Sequence, residues 1–184
     1  MGQIHKRICK ISSHLRQIFD IINLAREHKI SLILPAAFYK YCRYRFTQMV
    51  FDGIPRTDPN ESPASLCAED QRACLVGWQR LAAKSDFLDP NKNNTLFKHC
   101  RTRTACDQAS REVLADLWHP APKFMALNAW DSDWEDGMCR ACVIVAMRSQ
   151  EDDRGKIWNK LPSTFGLPPW SDLLNDKAWK EQSR

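Results

Sequence analysis

The chain has 184 residues, 43% of them hydrophobic, enough to bury a real core as one domain or two small ones. With only 6 Gly, and with helical spacings outnumbering alternating ones, it predicts an all-α fold: an irregular domain of about six helices joined by long loops. The net charge of +5 is uneven, since residues 1–56 carry 10 Lys/Arg against 3 Asp/Glu and the remainder 17 against 19; this allows an acidic partner or nucleic acid and requires neither.

The opening "MGQIHKRICKISS" lacks the apolar centre of a secretory signal, and no apolar run approaches the roughly 18 residues of a membrane span. Gly2 suits myristoylation, but Lys6 stands where that motif wants Ser or Thr. The chain therefore reads as intracellular, cytoplasmic or nuclear, with reduced thiols and no membrane partner. In that setting the glycosylation sequons at Asn60 and Asn93 carry no weight.

The first expected helix is "SSHLRQIFDIINLAREH", with Leu15, Ile18, Phe19, Ile22 and Ala25 on one face and Ser12 or Ser13 as cap. "ISLILPAAFYKYCRYRF" follows, with Ser31 as a candidate cap and Pro35 near the start, where a missing amide hydrogen matters little. These N-terminal helices occupy 1–50, and "DGIPRTDPNESP" makes 51–64 a linker by composition. A helical, cysteine-containing region then spans 65–176, and 177–184 is a polar tail.

Within that region "SLCAEDQRACLVGWQRLAAK" places Cys67, Cys74, Trp78 and Leu81 on one stripe, with Glu69 and Asp70 near the positive end of the helix dipole. A polar loop, "SDFLDPNKNNTLFKHC", leads to the helix "TACDQASREVLADLWH", which "HPAP" stops. "KFMALNAWDSDWED" is short and aromatic. From Gly137 a helix runs towards "RGKIWNKLPSTF", interrupted or kinked near Gly155. "GLPPW" turns the chain, Trp170 and Leu173 anchor its C-terminal stretch, and Trp158 and Phe165 are expected to be buried.

The 8 cysteines hold the chemistry. Cys139 and Cys142 lie three apart at a helix start, where the dipole favours the thiolate that binds metal. Cys100 and Cys106 bracket a five-residue loop upstream. Together the two pairs can close a tetrahedral structural zinc site, with His99 able to replace Cys100. The competing reading is four reduced thiols that merely pack, with disulfide or redox use behind both; a redox pair wants a thioredoxin-like βαβ context that the sequence lacks. Cys67, Cys74, Cys9 and Cys42 read as core packing.

"FYKYCRYRF" interleaves Phe38, Tyr39, Tyr41, Tyr44 and Phe46 with Lys40, Arg43 and Arg45, a composition that can stack bases and attract phosphates; the simpler reading buries the rings and leaves the charges in water, so nucleic acid is not the expected partner. "DSDWED" and "QEDD" lack the EF-hand spacing and read as solvated faces. No GxSxG, P-loop, HExxH or Gly-rich phosphate turn occurs, and His5, His14, His28, His99 and His119 stand in no relation to a nucleophile. A closed four-cysteine shell leaves a metal no position for substrate. The expectation is a protein that is not an enzyme.

Three segments carry a family resemblance. "LAREHKISLILPAAFYKYC" resembles the end of a BTB/POZ domain and its following helix in BTB proteins of basidiomycete fungi, and "SLCAEDQRACLVGWQRL" resembles the next helix of that set. "MCRACVIVAMRSQEDDRGKIWNKLPSTFGLPPWSDL" resembles their C-terminal region, where a cysteine pair precedes a long helix; cysteines upstream of that pair match Cys100 and Cys106. The similarity spans roughly residues 18 to 176. It implies a non-catalytic, adaptor-like protein-binding module of the BTB-following region, with the protein partner unspecified. The strand-bearing BTB core that forms the family's dimer interface has no counterpart here, so homo-oligomerisation is not carried over. The alternative is a zinc-containing nucleic-acid-binding module using the basic N-terminal third.

Overall fold

A computed structural model describes residues 2–43, 47–56, 58, 60–82, 95–118 and 127–175, with backbone only at 2–13, 47, 48, 82 and 118. The side chain of Cys9, the residues Tyr44, Arg45 and Phe46, most of the 85–100 loop with Asn93, the "HPAP" stop and the 177–184 tail lie outside the described residues. Among those described, the fold is all-α: α1 (Gly2–Glu27), α2 (Leu34–Cys42), α3 (Thr47–Asp52), α4 (Ala68–Ala82), α5 (Arg103–Trp118), α6 (Arg140–Asn159), α7 (Leu161–Thr164) and α8 (Trp170–Asn175). The count exceeds the expected six because α3, α7 and α8 are too short for a repeating apolar stripe to announce them. No described helix is long and apolar enough to cross a membrane.

The chain forms two compact units. One comprises Met1–Arg80 and Lys160–Arg184, and the other Leu81–Asn159. In the discontinuous unit, α1 packs on α2 and α2 on α7. Leu15, Ile18, Phe19, Ile22 and Ala25 of α1 are all buried, as their spacing requires. Helix α1 starts well before Ser12 and Ser13, so neither caps it. It ends where Lys29 adopts a left-handed φ of 56°, letting Ile30 N donate to Ala25 O (2.8 Å) and Lys29 N to Arg26 O (3.2 Å), a paired C-terminal closure. Ser31 begins a 3-10 turn rather than capping α2, and Pro35 sits in the first turn of α2, where no amide is needed.

The 51–64 segment is fastened rather than free. Ile54 and Ala64, both buried, exchange two backbone hydrogen bonds (2.8 and 2.9 Å) as an isolated antiparallel bridge. Helix α1 holds it from beneath, through Arg16 to Pro55 O (2.7 Å), Asn23 to Ser65 O (3.0 Å) and Arg56 to Asp20 (3.3 Å).

Two further contacts fix α4 in this unit. Arg26 of α1 reaches the Asp70 carboxylate with Nε (3.0 and 3.2 Å) and with a terminal nitrogen, and Asp70 is wholly buried. This bidentate pairing raises the Arg26 pKa, chiefly through the hydrogen bond to Asp70. At Gly77 an added Cβ would lie 2.1 Å from Phe165 Cε1, so the ring can seat on α4 only because that residue has no side chain. The opposite neighbour of Phe165 is Phe38, at 5.4 Å between ring centroids. Phe165 is buried as expected. Trp158 is not, being 47% exposed near the C-terminal end of α6.

In the other unit Leu96, Phe97, Cys106, Leu117, Trp134, Cys142 and Ala146 form the core, with Cys100 and Cys139 packed against it. Trp130 stacks edge-on against Trp134 (5.4 Å), and buried Gln150 of α6 donates to Asn128 O (2.7 Å), tying down the segment before α6. "DSDWED" forms a short 3-10 turn capped by Asp131, whose carboxylate accepts from Asp133 N (3.1 Å). Helix α6 runs unbroken through Gly155, where neither kink nor interruption occurs.

Candidate metal centre

The site is assembled from the ends of two helices. Leu96 and Phe97 insert into the core and the chain turns behind them, with Cys100 N donating to Phe97 O (3.1 Å). Thr102 O then accepts Cys106 N (3.0 Å), so α5 begins with the Cys106 sulfur on its inward face. On the other side Gly137 takes a φ of +76°, a left-handed value that ends the Ser132–Glu135 turn and redirects the backbone. That corrects the expectation of a helix from Gly137: α6 begins at Arg140, and Cys139 precedes it as cap, its carbonyl accepting Val143 N (3.1 Å).

The Sγ atoms of Cys100, Cys106, Cys139 and Cys142 all lie within 4.8 Å of one another, and no two are bonded. Cys100 and Cys139 are 4.0 Å apart. A tetrahedron of Zn–S bonds about 2.3 Å long has edges of roughly 3.8 Å, so these sulfurs need at most about one ångström of contraction around one ion. Cys106 and Cys142 are fully buried, whereas Cys100 and Cys139 are half-buried. His99 is exposed and outside the cluster. No other group of metal-ligating side chains converges among the described residues, the acidic "DSDWED" included.

Hydrogen-bond donors surround the sulfurs. Cys139 N donates to Cys106 Sγ (3.2 Å), and the Thr102 hydroxyl lies 3.3 Å from the same sulfur. The amides of Cys142 and Arg101 point at Cys139 Sγ, and that of Thr102 at Cys100 Sγ. Cys139 thus caps α6 with sulfur in place of the usual oxygen, satisfying an amide the helix cannot pair internally. The Cys142 amide is the main reason the Cys139 thiol is lowered to about 6, well into the range of metal-binding thiolates. Desolvation leads in the opposite direction at Cys142 and Cys100, raising both. The four sulfurs share one small space, where a cation would offset the repulsion between closely spaced thiolates. The cluster is compatible with a zinc site.

The sequence reading missed these donors, because only the folded turn reveals which amides face sulfur. It also misplaced Cys67, which is exposed just before α4, its carbonyl accepting Gln71 N (2.9 Å) and its thiol donating to the Asp70 carboxylate (3.4 Å), rather than joining the core stripe. Cys42 and Cys74 are buried as expected, linked by a Cys42 thiol donation to Cys74 O (3.6 Å). In the basic aromatic segment, Phe38, Tyr39 and Tyr41 are buried while Lys40 and Arg43 are exposed, so those three rings present no stacking face. Compared with protein-family models, curated proteins and solved structures, the chain matches none.

Proposed function

We propose that this protein is a non-catalytic, protein-binding helical module, of the kind that follows a BTB domain, whose Leu81–Asn159 unit is fastened by one structural zinc ion. The observation carrying this reading is the convergence of four cysteine sulfurs from two separate segments. Four thiolates fill the tetrahedral shell of zinc and leave no position for a substrate or a reactive water. Iron also accepts four thiolates, but zinc needs no redox partner and suits a site whose two inner ligands are closed off from solvent.

Support for a binding role comes from the discontinuous unit. Ile21 and Leu24 stand exposed one turn apart on α1, and Ile33 is exposed on the 3-10 turn that packs against both α1 and α8, where Leu174 is exposed too. Large apolar side chains left in water on neighbouring elements are a common mark of a docking surface.

Metal analysis of the purified protein tests the first half: one equivalent of zinc is expected, and a metal-free protein with unchanged helicity would refute it. For the second half, affinity capture from fungal extract is compared between the native chain and an Ile21→Lys/Leu24→Lys variant. A partner retained by the first and lost by the folded variant supports docking there; identical captures refute it.

A further inference from the structure

The four sulfurs are not equivalent. Cys106 and Cys142 lie within helices α5 and α6 and are fully buried. Cys100 and Cys139 lie outside both helices and are half-buried, with their sulfurs 4.0 Å apart. A disulfide requires about 2.05 Å between sulfurs, so this pair must close by roughly 2 Å. Backbone at Cys100 and just before α6 can supply that movement without opening either helix, whereas moving Cys106 or Cys142 would pull a side chain out of the core.

We propose that Cys100 and Cys139 form a peroxide-sensitive modification site: oxidation joins them as a disulfide and expels the metal. This rests on the structural-zinc reading. Coordination holds both sulfurs as thiolates. One thiolate attacks a peroxide oxygen, an S–O bond forms, the O–O bond breaks and hydroxide leaves. The second thiolate attacks the resulting sulfenic acid, the S–S bond forms, the S–O bond breaks and a second hydroxide leaves. With two protons taken up, two thiolates and one hydrogen peroxide become one disulfide and two waters, the peroxide accepting both electrons. Only the Cys106 and Cys142 thiolates then remain, half of the four-ligand shell that structural zinc needs. Thiol reductants reverse the change.

The sequence makes the linkage readable. Trypsin cuts after Lys98, Arg101, Arg103, Arg111, Lys123, Arg140 and Arg148, which places Cys100, Cys106, Cys139 and Cys142 on four separate peptides: 99–101, 104–111, 124–140 and 141–148. The experiment uses the full chain carrying Cys67→Ser, to remove an exposed thiol outside the site. Zinc content is measured first, which separates a failure of the zinc reading from a failure of this pairing. Graded hydrogen peroxide is then added, free thiols are alkylated, and released zinc and tryptic cross-links are quantified. The expected result is a 99–101 to 124–140 link at least about tenfold above any other, appearing in step with zinc release. Both should revert on reduction. Predominant linkage of 124–140 to 141–148 or to 104–111, irreversible acids without a link, or a link formed with zinc retained would overturn the proposal.

Discussion

The two units are held together by different means. In the discontinuous unit, aliphatic and aromatic side chains do most of the work: Leu15, Phe19, Ile22, Leu34, Phe38, Ile54, Leu161 and Phe165 are all buried, and the ion pair of Arg26 with Asp70 fixes α4 beside α1. In the Leu81–Asn159 unit the core is built on Leu96, Phe97, Leu117 and Trp134, with two of its fully buried positions given to cysteine. A small region with a thin apolar core tends to need a covalent or metal staple. The contrast teaches that cysteine has two uses here: Cys42 and Cys74 fill space in an apolar core, whereas Cys100, Cys106, Cys139 and Cys142 gather into a cluster compatible with a metal.

Removing the metal should break the comparison most sharply. Structural zinc contributes on the order of 10–16 kcal/mol, against roughly 5–15 kcal/mol for a whole domain. Chelation, or Cys142→Ala, is therefore expected to abolish amide-exchange protection in α5 and α6 while leaving it in α1 and α2. Equal loss in both units would show that they do not stand on separate supports.

The next effects lie in the other unit. Phe165→Ala empties the seat between Gly77 and Phe38 and should cost about 3–5 kcal/mol by denaturant unfolding, with zinc content unchanged. Arg26→Ala strands the buried Asp70 carboxylate, a loss of about 3 kcal/mol. Adding Asp70→Asn should recover part of it, because the stranded charge is then gone. Gly77→Ala is the subtlest. Helix propensity alone favours alanine by about 1 kcal/mol, yet the new methyl collides with the Phe165 ring, so a net loss of about 1–3 kcal/mol is expected. A stabilised Gly77→Ala would mean that the ring is not seated on α4.

Much of this was legible in the residues. The apolar spacing in α1 marked its buried face, and the Cys139–Cys142 spacing with Cys100 and Cys106 upstream marked the cluster, since ligand chemistry needs few residue types at short separations. Other features escaped because they depend on partners distant in the chain. Asp70 looked like a helix-start carboxylate until Arg26, 44 residues away, supplied the reason for its burial. Trp158 lies about 100° around α6 from Ile157, off the stripe of Cys142, Ala146 and Gln150, and is half-exposed while Ile157 is buried; side-chain size alone does not choose a face. Gly137 looked like a helix start because glycine carries no sign of which hand its φ will take.

The discontinuity of the larger unit bears on how the polypeptide matures during synthesis. Residue 159 completes the cysteine-bearing unit before Phe165 has emerged from the ribosome. Nascent chains can thus gather the four cysteines while α1 and α2 still wait for the ring that seats against Gly77. The clasp that finishes this unit is therefore made only after all of Leu81–Asn159.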